Sequence, residues 1–181
     1  MNYPEYARVK GKKYKINTDY RAALRCFKVI DDETICDEER ALAVIFILFG
    51  FVPENNLDDF LRIAGDYLRC GEAETTSASE RDMDFNIDEK YIISSFMSDY
   101  KIDLPSTDMH FWKFIQLIQG LTEHCALSRV RELRNFDLSE IKDPKDRRKI
   151  AEAQKKVALP IRRTKEEQNA IDDFERLFGG E

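Results

Sequence analysis

The side chains able to do chemistry are few in this chain of 181 residues, and they lie far apart. It has two histidines, His110 and His124, and four cysteines, Cys26, Cys36, Cys70 and Cys125. No two cysteines form a C-x-x-C pair, so neither a zinc ribbon nor a redox motif can be built from local spacing. They read as reduced thiols in helices. His124 and Cys125 are neighbours, and neighbours on a helix point about 100° apart and cannot easily share one ion. No metal is expected. Asp82 and Asp84 bracket Met83 like a carboxylate pair, but they sit at the edge of a polar stretch, where solvation is the simpler reading. There is no Gly-rich phosphate loop, no G-x-S-x-G and no H-E-x-x-H. No catalytic residue or cofactor is assigned, and the chain reads as not an enzyme.

Bulk and charge offer more. From Asp88 the chain runs DEKYIISSFMSDYKIDLPSTDMHFWKFIQLIQGL, and further on comes the basic VRELRNFDLSEIKDPKDRRKIAEAQKKVALP. Residues 129–165 hold 13 Lys+Arg against 6 Asp+Glu, whereas 166–181 hold 1 against 6 and the chain as a whole is at -6. A basic stretch on an acidic chain can mean nucleic acid, but the overall sign opposes non-specific DNA binding. The same asymmetry lets one copy dock head to tail against the next. Hydrophobic content of 43% with 35% charged residues fits a soluble, highly helical protein. The longest apolar stretch, 41–52 with Gly50 inside it, is about half of what a bilayer crossing needs. The N-terminal MNYPEYARVKGKKYK lacks the apolar core of a signal peptide, so a cytosolic protein with no membrane partner is expected.

Patterning predicts a mainly α fold, a bundle of about seven to eight helices with a small N-terminal β-hairpin. Alternation in Tyr6-Ala7-Arg8-Val9, a turn at Lys10-Gly11-Lys12 and Tyr14-Lys15-Ile16 make the hairpin. Thr18 or Asp19 caps a helix through Ile30, and Asp37 caps a second that ends at Gly50. That second helix, ALAVIFILF, is apolar almost all round and is expected at the centre of an N-terminal core. Asn56 caps a third, closed by Gly71. Asn86 or Asp88 begins a fourth, Ser106 or Thr107 a fifth and Thr122 a sixth. Asp143-Pro144 is a clear start for the basic helix, which is thin in apolar residues. The tail predicts one more helix, with the capping box Thr164 and Glu167 and a stripe of Ala170, Ile171, Phe174, Leu177 and Phe178.

Four segments follow: a hairpin and three-helix unit at 1–71, a flexible linker at 72–85, a helical unit with aromatic and basic helices at 86–160, and a tail at 161–181. The fifth helix carries more apolar bulk than one face can bury in a small domain, so part of it is expected to meet a partner. The candidate partner-binding residues are Tyr91, Phe96, Phe111, Trp112 and Phe114, then Arg147 and Arg148 on the basic helix, and Phe174 and Phe178 in the tail. Two readings stay open for Trp112 and its neighbours on the fifth helix, core or surface anchor, and two for the tail helix, docking segment or helix folded onto its own core.

The run SFMSDYKIDL, the segment HFWKFIQLIQGL from His110 to Leu121, VRELRNFDLSEIKD, and KKVALP ending at Pro160 together resemble the phage "gene product fifteen" family. The members are short proteins of long-tailed phages and prophages of Gram-positive bacteria. KYKINTDYRAALRCFKVIDDE and the EERALAV helix extend the resemblance over about residues 11–160. Family members commonly show two tryptophans or a His-Trp pair where this chain has His110-Phe111-Trp112, and the tail lies outside the resemblance. Genes of the family typically sit between those for the major tail protein and the tape measure. The resemblance therefore implies a tail assembly chaperone that binds the tape measure protein and other tail assembly proteins and self-associates into a homo-oligomer. It would act in the bacterial host cytoplasm and be absent from the mature virion. The alternative is a nucleic-acid-binding phage protein using the basic segment 142–163.

Overall fold

The computed structural model describes residues 3–72 and 81–160. The chain opens with a two-stranded antiparallel hairpin, β1 (Tyr6–Val9) and β2 (Lys12–Lys15), in which Tyr6 faces Lys15 and Val9 faces Lys12. Lys10 and Gly11 at the turn have φ of 47° and 81°, the primed geometry that matches the twist of the strands. Alternation then sends Ala7 and Val9 inward and leaves Tyr6 and Arg8 outside.

Helix α1 (Tyr20–Ile30) starts at Asp19, whose carboxylate accepts the Arg21 N–H at 2.8 Å. Helix α2 (Asp37–Phe49) is capped one residue earlier than expected. Cys36 Sγ accepts the Glu39 N–H at 3.5 Å while the Glu39 carboxylate accepts the Cys36 N–H at 3.3 Å, so a thiol fills the place usually taken by a hydroxyl. Gly50 ends it at φ 79°, the left-handed cap expected there. Helix α3 (Leu57–Leu68) follows Asn56, which flanks the helix at φ 62° without a side-chain cap bond.

Helix α4 (Glu89–Ser95) continues into a π-helical turn, Phe96–Tyr100, which Lys101 closes at φ 58°. Helix α5 (Phe111–Gln119) is capped by His110, not by Ser106 or Thr107. A 3-10 turn at Leu104–Ser106 and extended backbone occupy the earlier positions, because Met109 O is needed to accept Tyr20 N–H at 2.9 Å. Helix α6 (Ala126–Asn135) is capped by Cys125, not Thr122. The N–H and hydroxyl of Thr122 both donate to the Asp99 carboxylate, at 2.8 and 2.9 Å, which spends that residue on a tertiary tie. Helix α7 (Pro144–Val157) starts as expected, with Asp143 accepting the Lys145 N–H at 2.7 Å. The mainly α architecture with its small hairpin is thus the one expected.

The chain divides into one unit from Met1 to Phe136 and a second from Asp137 to Glu181. No division falls at the expected 72–85. Tyr20, Leu48 and Tyr67 before that stretch share a single hydrophobic core with Ile92, Phe96, Phe111, Phe114 and Leu127 after it. Met83 and Phe85, within the expected linker, pack against the same core. The physical reason is size: a half-length unit has too little interior to enclose so many aromatics, and joining the halves supplies it. The rest of the linker, 73–80, and the tail 161–181 with its capping box lie outside the described residues. In the second unit α7 follows a 3-10 turn, Leu138–Glu140, and neither element buries a residue, in line with its thin apolar content.

Helix α2 departs from expectation. Its sequence is apolar all round, yet only Val44, Ile45 and Leu48 are enclosed, and Phe46 is 57% exposed.

Candidate partner-binding site

Three of the aromatic candidates form the core itself. Phe96, Phe111 and Phe114 are fully buried. Phe114 stacks between Tyr20, with ring centres 4.8 Å apart, and Phe96, at 5.5 Å. Rings enclosed in this way are not open to a partner in the folded unit, so the face they were expected to offer is packed on α1 and the 81–88 segment.

Trp112 sits at the margin. It is half-buried, its indole N–H donates to Tyr67 O at 3.0 Å, and its ring lies over Gly71. A Cβ on Gly71 would come within 3.3 Å of that ring, and the φ of 77° there favours glycine in any case. Trp112 therefore closes the end of α3, which favours the core reading of this residue. Tyr91 is also half-buried, with the Lys90 ammonium 4.8 Å from its ring centre. Arg147 and Arg148 belong to the second unit. Arg147 turns back to donate twice to Ile141 O, at 3.1 and 2.6 Å, while Arg148 is exposed. Phe174 and Phe178 lie outside the described residues.

The carboxylates expected in solvent are also engaged. Asp82 pairs with Arg131 at 2.7 Å, and Asp84 is buried, pairs with Arg81 and caps the turn through the N–H groups of Asn86 and Ile87 at 2.7 and 2.9 Å. Next to them the wholly buried Asp88 takes Arg134 in a two-pronged contact, both prongs at 2.7 Å. Arg134 also donates to Asp82 O at 2.8 Å, and Asp88 accepts the Asp84 N–H at 2.9 Å. This network stitches the 81–88 segment to α6. A buried pair with its remaining hydrogen bonds filled holds register well and is costly to break from one side. Among the described residues no group of three or more His, Cys, Asp or Glu could hold a metal.

Two of the open surfaces among the described residues of the first unit carry apolar side chains that a partner could reach. One is the outer face of α2, where Phe46 stands between the half-buried Leu42 and Phe49. The other is a cleft of about 370 Å³ between α1 and α4. Its accessible apolar lining is Leu24, Phe85, Ile93 and Pro105, over the buried Tyr20, Ile92, Leu104 and Phe114, and the Tyr20 hydroxyl pins one end by donating to Leu104 O at 2.9 Å. Arg21, Arg25 and Lys28 line the α1 side, and Glu89 stands on the α4 side. Arg21 is committed: it donates to Asp19 at 2.8 and 2.6 Å and also pairs with Asp108. That guanidinium holds the Asp19 carboxyl below the usual range, against the opposing effect of burial.

No single stretch of the sequence announces this cleft. The signal was present in the recurrence of Arg21, Arg25 and Lys28 at i, i+4 and i+7, which is one helix face. That α4 would lie alongside was not legible locally.

Residues 4–159 match the family model described as Bacteriophage Gp15 protein. No curated protein and no solved structure matches the chain. Among the described residues no helix is long and apolar enough to cross a membrane.

Proposed function

The chain belongs to the Bacteriophage Gp15 protein family, and from that premise we propose that this phage protein is a tail assembly chaperone, not an enzyme. It binds the tape measure protein and self-associates along it during tail morphogenesis. It works in the cytoplasm of the bacterial host and leaves before the virion is complete. A tape measure exposes repeated apolar helical faces, which need cover until tube protein polymerises around them.

The observation that carries this reading is the open face of α2, where Phe46 is 57% exposed on a helix whose opposite side is core. A rigid helix with a bare aromatic offers a ready surface to another amphipathic helix, in the helix-on-helix mode of recognition. It also accounts for a phenylalanine at position 46, the residue of ALAVIFILF that is left exposed. The test is co-expression with fragments of the tape measure from the same phage. Fragments that stay soluble and co-purify support the chaperone; unchanged solubility with nothing co-purifying refutes it.

Helix α7 supports a second reading, nucleic-acid binding, since Arg148, Lys155 and Lys156 are exposed along it. It is the weaker one because Arg147 is spent on Ile141 O and Lys149 pairs with Asp146 at 3.0 Å. Titration with duplex DNA at two salt concentrations separates the readings, a steep salt slope marking the binder.

A further inference from the structure

We propose that the cleft between α1 and α4 receives the acidic, apolar segment 164–178 of a second copy of this chain, so that copies join head to tail. This deepens the self-association in the reading above and rests on it.

The cleft supplies half of the case. Its floor is apolar, and at its α1 rim Arg25 and Lys28 are exposed and make no hydrogen bond or ion pair among the described residues. Such a cleft suits an occupant with apolar anchors and carboxylates beside them. The volume, about 370 Å³, is near the lower end of the ~300–1,000 Å³ usual for ligand pockets, so it holds a few side chains and not a whole domain.

The segment supplies the other half. Ile171, Phe174 and Phe178 recur at i, i+3 and i+7, the anchor spacing of a helix that binds in a groove. On a helical projection Ala170 and Leu177 widen that stripe. Asp173 beside Leu177 and Glu175 beside Ile171 flank the widened stripe, one on each side, so a carboxylate meets the α1 rim whichever way the helix runs. Residues 166–181 carry 6 acidic against 1 basic side chain. Complementary charge of this kind fixes partner choice and speeds encounter. A contact between two different surfaces of the same chain is heterologous and repeats from copy to copy, which is the geometry a coat along an extended partner requires.

The experiment is sedimentation velocity on the full chain over a range of concentrations, at low and high salt. Two variants are compared, Arg25→Glu/Lys28→Glu in the cleft and Asp173→Lys/Glu175→Lys in the segment. The wild type should gain mass with concentration, and less so at high salt. Each variant alone should need at least tenfold more protein to associate, and an equimolar mixture of the two should recover wild-type association, since each cleft then meets a segment of opposite charge. A wild type that stays monomeric, as it would if each segment closed on its own cleft, overturns the proposal. So does undiminished association of both variants, or a mixture that fails to recover.

Melting curves check that both variants fold; should the cleft variant not fold, Phe174→Ser/Phe178→Ser must abolish association, and its persistence overturns the proposal. Tape-measure capture is read separately on the same preparations. Lost capture with recovery intact counts against the chaperone, and failed recovery with capture intact counts against the cleft.

Discussion

At the scale of single residues, the fold rests on polar groups whose partners are distant in sequence. Arg134 and Asp88 are buried together and bonded twice, at 2.7 Å each, so Asp88→Asn leaves a guanidinium in the interior with half its partner gone. We expect it to destabilise the protein by about 3 kcal/mol, measured by urea unfolding. Asp19 gives a pH prediction. Its folded carboxyl sits below the ordinary value because of Arg21, so its contribution is complete above the unfolded value of about 3.9 and is lost as pH falls through the folded one. Asp19→Asn should therefore flatten the loss of stability below about pH 4 and leave the neutral range with the same slope, as followed by thermal melts across pH. Asp143-Pro144 and Asp19 were legible in the sequence because a cap is a local event. His110 and Cys125 were not, since Ser106, Thr107 and Thr122 are better caps by residue type. The choice was made by tertiary contacts: His110 Nε2 donates to Pro4 O at 3.1 Å, leaving Nδ1 to accept the Trp112 N–H at 3.1 Å, and Thr122 is held by Asp99.

At the scale of elements, apolar periodicity located the helices but could not say which faces would be covered. The aromatic helix α5 turned out to be core, with Phe111 and Phe114 enclosed, while α2 kept an open side. Both contain runs of apolar residues, and only the packing partner distinguishes them. Phe46→Ser should change the melting stability by no more than about 0.5 kcal/mol, as for other exposed positions, while reducing capture of tape-measure fragments. A loss of several kcal/mol in the melt would mean instead that Phe46 is packed. The junction of α3 and α5 makes the opposite prediction. Gly71→Ala places a Cβ within 3.3 Å of Trp112 at a φ of 77°, so at least about 1 kcal/mol of destabilisation is expected in the same assay. The aromatic tie explains why the expected boundary at 72–85 is absent: Trp112 on the far side caps a helix on the near side through Tyr67 O.

At the scale of the whole molecule, the fold class was legible because helix stripes and a hairpin turn are short-range patterns. The division into units was not, because polarity in 72–85 says nothing about whether the residues on either side share a core. Of the candidate binding residues, the structure encloses Phe96, Phe111 and Phe114 and sets Trp112 against α3, while Phe46 on α2 and the α1–α4 cleft stay open. The chain belongs to the Bacteriophage Gp15 protein family, and the chaperone role proposed for it rests on the open side of α2 at Phe46. The most direct measurement is the soluble fraction of a tape-measure fragment made alone, with the wild-type chain, and with Phe46→Ser. The wild type should raise that fraction and co-elute with the fragment, and the variant, equally stable, should do neither. A fragment equally insoluble in all three cases, or rescued as well by the variant, would contradict it.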